Sequence, residues 1–163
     1  MKMDIPFYSQ HAVDVPIEWR DRACGIIALR MVIESKTGNI LDTKVLIETG
    51  VMNGAYIPGI GWKHDGLVAL AMKYGLPSYR KEFTDTTQGI EFIKLALDKG
   101  EIVISSIRID GKKGTHLIVL VGFDEKGFYY HDSAKLDKSS GTNLFIREEE
   151  FARLWRKLAI FVG

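Results

Sequence analysis

Apolar positions along the chain change texture near Gly100. Before that point the spacing is helical. "ACGIIALRMVIES", residues 23–35, is apolar on nearly every side and broken only by Arg30, which predicts a helix buried all round. Asp21 is placed to cap its start and Gly38 to end it. "DTKVLIETG" predicts a short second helix. "HDGLVALAMKYG" predicts a third, with Asp65 as cap and Gly75 as terminator. "TTQGIEFIKLALDKG" predicts a fourth, with Ile90, Ile93, Leu95 and Leu97 inward and Gly100 at its end.

From Glu101 onward the pattern is that of strands. "EIVISSIRI" and "THLIVLVGF" are rich in β-branched residues and bounded by glycines. "GFYYHDS" follows "DEKG", a turn of hairpin length. "REEEFARLWRK" reads as a surface helix and "LAIFVG" as a closing strand. Helices first and antiparallel strands after them imply an α+β fold.

Composition narrows the function classes. At 163 residues and 46% hydrophobic, residues 1–163 fit one compact domain able to bury a core without disulfides. The 22 Lys+Arg nearly cancel the 21 Asp+Glu, which removes the electrostatic case for nucleic acid or an anionic membrane. A single cysteine excludes an internal disulfide and a multi-cysteine metal site. No apolar run reaches a membrane span, and "MKMDIPFYSQ" lacks a secretory apolar region. A complete chain of this kind is expected in the cytoplasm; a trimmed signal or anchor would make it secreted or anchored.

The one cysteine, Cys24, stands at the head of the first predicted helix, where the positive end of the helix lowers a thiol's pKa. The hairpin supplies what a thiol nucleophile needs. With the turn centred on Glu125 and Lys126, the partner of His116 falls within a few residues of Asp132. Imidazole and carboxylate then meet at the open end of one hairpin, where the acid fixes the ring and favours its charged form. Gly25 leaves room for a substrate backbone, the Cys24 N–H is one oxyanion donor, and Gln10 is the candidate for the second.

These residues carry a resemblance. "IPFYSQ", "RACGIIALRM" and "GTHLIVLVGFDEKGFYYHDSA" resemble papain-like cysteine peptidases of the bacteriocin-leader (double-glycine) peptidase-like family. "GWKHDGLVALAMKYGL" is similar to a segment that this family places between its cysteine and histidine. The resemblance runs from Ile5 to about Ala134. It implies a papain-like fold in which a central helix packs on an antiparallel sheet, with Cys24 as nucleophile, His116 as base, Asp132 as its orienter and Gln10 in the oxyanion hole. The chain departs from the family pattern in a longer stretch between Gln10 and Cys24, in Thr115 before the histidine where glycine is usual, and in Ser133 after the aspartate where proline is usual.

The expected reaction is hydrolysis of a peptide or isopeptide bond in a peptide or protein, with no cofactor and no metal. Acyl transfer to an amine or thiol by the same residues, or a papain-like module that only binds, are the alternatives. Trp62 and His64 are candidate substrate-side residues with Gly25; Trp19, Trp62 and Tyr56 lie in loop-like segments flanking the cleft, where they either bind substrate side chains or, for at least two of them, pack. "GAYIPGIGW" reads equally as a loop bordering the site or as a connector. His131 should face away from Asp132, since strand side chains alternate.

Overall fold

The computed structural model describes residues 2–163. Ahead of the first α-helix, Ile17–Arg22 winds as a 3-10 turn. The helices are α1 (Cys24–Thr37), α2 (Thr43–Met52), α3 (His64–Lys73), α4 (Thr86–Asp98), α5 (Lys138–Gly141) and α6 (Glu148–Leu154). The strands are β1 (Tyr56–Ile57), β2 (Gly61–Trp62), β3 (Ser78–Glu82), β4 (Ile102–Arg108), β5 (Thr115–Phe123), β6 (Gly127–His131), β7 (Leu144–Arg147) and β8 (Trp155–Val162). β1 and β2 form a small hairpin, and the other six make one antiparallel sheet in the order β3-β8-β4-β5-β6-β7.

Strand alternation splits the core in two. Ile102, Ile104, Leu117, Val119, Val121, Ile160 and Val162 pack with α1, α2 and α3 on one face. Val103, Ile118, Leu120, Phe128, Ala159 and Phe161 pack with α4 and α6 on the other. That is the period-two pattern of a sheet covered on both sides. α1 is buried from Gly25 to Glu34. The one cation of that buried stretch, Arg30, is satisfied inside: Nε donates to Glu34 at 2.7 Å, and Nη1 to Asp14 at 2.9 Å and to Thr43 at 2.7 Å. Burying such a pair without partners would cost several kcal/mol, about 3–5 on removal of one member, so this network fixes α1 against the loop before it.

Several sequence expectations need correction. Asp21 does not cap α1; it lies in the 3-10 turn, and Ala23 takes the cap position without a side-chain bond. Asp65 lies inside the first turn of α3, whose cap position is Lys63. Leu95 is 58% exposed, because the buried stripe of α4 runs through Ile90, Ile93 and Leu97 and leaves position 95 on the outer side. β3 and β7 are short strands that the sequence reading did not assign; in them burial is partial at Ser78 and Leu144 and full only at Ile146. α6 stops at Leu154 and the closing strand starts at Trp155 rather than Leu158. Gly38 and Gly100 do end α1 and α4, both with positive φ (74° and 84°).

Candidate active site

The register of β5 and β6 decides whether His116 and Asp132 meet. Phe123 pairs with Phe128 and Gly122 with Tyr129; a bulge then shifts the pairing so that Val119 faces His131. Continued by one residue, this sets Asp132 opposite Ile118, one diagonal step from His116, within side-chain reach. His116 Nε2 lies 2.6 Å from Asp132 Oδ1. Asp132 Oδ1 also accepts from the Ala134 N–H at 2.9 Å, so the carboxylate is held from its own turn as well as from the ring.

With Nε2 committed to Asp132, Nδ1 is the ring nitrogen left for the thiol, and His116 and Cys24 are hydrogen-bonded through their side chains. Burial pushes the Cys24 thiol up, but the His116 bond and charge, with the N–H groups of Leu117 and Gly25, reverse this and hold it below its ordinary range. Burial likewise pushes His116 down, yet its bonds to Asp132 and Cys24 and the charges on both raise it to about 10. Asp132, driven up by burial, is held low by His116, the Ala134 N–H and Lys135. In this row each bond favours the charged form of its partner: thiolate at Cys24, imidazolium at His116 and carboxylate at Asp132. Cys24 is only partly buried and opens on a groove of about 210 Å³.

Gln10 lies beside this row rather than in the groove wall. It is 5% exposed. Its Nε2 donates to the Arg20 carbonyl at 2.9 Å, and its Oε1 accepts from Ser133 Oγ at 3.0 Å. The Gln10 N–H also donates to the Ser133 carbonyl at 2.8 Å. It ties the segment before Cys24 to the segment after Asp132. Ser133, standing where proline is usual in the family pattern, supplies a hydroxyl that proline lacks.

Gly25, Trp62 and His64 all line the groove with Cys24. Gly25 is also closely packed. A Cβ there would meet Trp62 Cβ and Leu67 Cδ1 at 3.2 Å and Leu117 Cδ1 at 3.3 Å, so its missing side chain lets α1 approach its neighbours. Trp19, Tyr56 and Trp62 form a mutual cluster with ring centroids 4.8–5.6 Å apart. "GAYIPGIGW" folds into the β1–β2 hairpin and brings Ile60, Gly61 and Trp62 to the groove. His131 stands apart from the row: Nε2 lies 2.9 Å from the Ile5 carbonyl, and Nδ1 accepts from the Asn143 N–H at 3.1 Å. Sequence reasoning passed over Arg22 as a groove residue; its position beside Cys24 was the available signal. Among the described residues, no three His, Cys, Asp or Glu side chains converge as a metal-binding group, and no helix is long and apolar enough to cross a membrane.

Three solved structures resemble the chain at low identity. A double-glycine motif protease from an AMS/PCAT transporter, in complex with the leader peptide, is 20% identical, with TM-score 0.66 over 99% of this chain and 94% of its own. A putative C39-like peptidase from Bacillus anthracis is 18% identical, with TM-score 0.68 over 100% of this chain and 98% of its own. The peptidase domain of Streptococcus ComA, a bifunctional ABC transporter involved in a quorum-sensing pathway, is 22% identical, with TM-score 0.63 over 88% of this chain and 92% of its own. At these identities the likeness establishes the papain-like fold. No curated protein matches the sequence. The sequence model of the Peptidase_C39 like family matches residues 2–159, nearly the whole chain. The protein therefore belongs to the peptidase C39-like family and is a cysteine peptidase-like enzyme.

Proposed function

We propose that Cys24, His116 and Asp132 act as a catalytic triad that cleaves a peptide or isopeptide bond through a thioester acyl-enzyme, and that residues 1–163 work as one catalytic domain. The carrying observation is the unbroken row from the partly exposed thiol through His116 to Asp132, with His116 Nε2 2.6 Å from the carboxylate. The Cys24 thiolate attacks the carbonyl carbon, and the developing oxyanion takes the Cys24 N–H, which has no intrachain acceptor among the described residues. Gln10 Nε2, one of whose two hydrogens is engaged by Arg20, is the second donor in this reading. The His116 imidazolium gives its proton to the departing amine as the C–N bond breaks.

Deacylation reverses the roles. Neutral His116 takes a proton from water, the resulting hydroxide equivalent attacks the thioester carbonyl, and the C–S bond breaks to release the acid and restore the thiolate. Asp132 keeps Nδ1 aimed at sulfur and stabilises each imidazolium that forms. Peptides are the substrate class in this reading because the family is one of peptidases.

Incubating the protein with an epoxide or vinyl-sulfone peptide probe and locating the adduct by mass spectrometry tests this. Labelling confined to Cys24, together with peptide cleavage that Cys24→Ser abolishes, is the expected result. Cleavage that survives Cys24→Ser rejects the triad.

A further inference from the structure

Arg22, two residues before Cys24, is held at the groove rim as a rigid cation. Its guanidinium lies over the Trp19 ring at 4.3 Å and near the Tyr56 ring at 5.5 Å. Nε donates to the Glu18 carbonyl at 2.9 Å and Nη1 to the Tyr56 hydroxyl at 3.2 Å. Trp62 Nε1 donates to the Arg22 carbonyl at 2.8 Å, so the backbone is fixed too. Every partner is neutral. No carboxylate lies within ion-pair distance of Arg22 among the described residues, although Asp21 lines the same groove. A stacked, hydrogen-bonded guanidinium loses little further freedom on binding and presents its remaining N–H groups to a carboxylate.

His64, which lines the groove, also feels two further cations. Arg80 and Arg156 act on its imidazole, with Asp65 as the opposing charge, and together with burial they keep the ring neutral. Arg156 Nη1 is anchored on Ser106 Oγ at 3.1 Å, while Arg80 reaches Glu82 at 3.6 Å. We propose that the groove selects a substrate carrying a carboxylate beside the bond attacked by Cys24, and that Arg22, preorganised on Trp19 and Tyr56, is the residue that reads it. This rests on Cys24 being the nucleophile and adds the chemical class that the nucleophile meets.

The probes are two alkylating reagents of nearly equal size, neutral iodoacetamide and anionic iodoacetate, whose rates at Cys24 are followed by mass spectrometry. Measured near neutral pH and low salt, the iodoacetate-to-iodoacetamide rate ratio should fall about fivefold in Arg22→Gln, the worth of one unit charge a few ångströms away in a water-like dielectric. Arg22→Lys should keep most of the ratio, and about 1 M salt should erase the difference between Arg22 and Arg22→Gln. Cleavage of a peptide library should then show Asp and Glu enriched next to the scissile bond and lose that enrichment in Arg22→Gln. An unchanged ratio in Arg22→Gln overturns the inference and leaves the triad standing. Equal slowing of both reagents in both variants marks Arg22 as support for the aromatic cluster alone, which also overturns it. Iodoacetamide reacting with Cys24 no faster than with a free thiol removes the triad and this inference with it.

Discussion

His116 and His131 stand on neighbouring strands of one hairpin, both buried (8% and 1% exposed), yet their pKa values are pushed in opposite directions. His131 hydrogen-bonds only to neutral backbone groups, the Ile5 carbonyl and the Asn143 N–H, and burial lowers its pKa, with the opposed charges of Asp4 and Lys138 as lesser influences. His116 meets a carboxylate on one ring nitrogen and a thiol on the other, and is raised to about 10 despite burial. Desolvation alone would neutralise both rings. What separates them is whether the partners carry charge, and that is set by which residue of the hairpin end faces which.

The comparison breaks most visibly at His116. His116→Ala should lower peptide cleavage by about 10³-fold or more, and should return Cys24 alkylation below pH 7 to the rate of a free thiol; a pH-resolved iodoacetamide assay reads both. Asp132→Asn removes the charge that separates the two histidines. It should cost about 10²-fold in cleavage and bring the His116 titration down from about 10, visible as loss of the high-pH part of the cleavage profile.

The pH profile of the unaltered protein sharpens the same point. Cys24 is held below its ordinary range, so alkylation should rise at lower pH than for a free thiol. Cleavage should fall above about pH 10, where His116 loses the proton it gives to the leaving amine, while alkylation, which needs only the thiolate, continues. For stability the sign follows the raised His116: its contribution is complete below its unfolded value of about 6.5 and is lost as pH climbs through about 10. At the other histidine the effect is smallest and of another kind. His131→Ala leaves the Ile5 carbonyl and Asn143 N–H without their partners and should cost about 1–3 kcal/mol of stability by denaturant unfolding, with Cys24 alkylation as before.

Much of this pairing was legible because it depends on local arithmetic. The hairpin length limits which residue can face His116, and one bulge moves the register by a residue without separating His116 from Asp132. The burial of α1 and the position of Cys24 followed from an apolar run with its own terminator, Gly38. The losses came where structure depends on distant partners. β3 is a sheet-edge strand whose residues Tyr79–Glu82 are all exposed, so it carries no alternation to read. The start of β8 is hidden by a helical pattern running through "FARLWRK", and Lys157 takes φ 58° beside a register shift. Asp21 and Asp65 look like caps in sequence, but a preceding 3-10 turn and Lys63 put the helix starts elsewhere.

The groove chemistry divides in the same way. Cysteine, histidine and aspartate are recognisable by type and order. Gln10 is recognisable by type, but its bridge from Arg20 to Ser133 exists only once the amino-terminal loop lies against the turn after β6. Gly25 suggests room for a substrate from sequence; its close packing against Trp62, Leu67 and Leu117 shows only in the fold. Arg22 acquires meaning only from rings at positions 19 and 56 and a carbonyl at 18, brought together by the 3-10 turn and the β1–β2 hairpin.

The central claim is that buried His116 carries a proton at neutral pH because it stands between Cys24 and Asp132. Histidine-ring NMR across pH 5–11, with His116 and His131 assigned by substitution, tests it most directly. The account predicts that the His116 ring stays protonated through neutrality and titrates near 10, while His131 is already neutral on the acid side of the ordinary histidine range. Two rings titrating together near the ordinary histidine value of about 6.5 would contradict it.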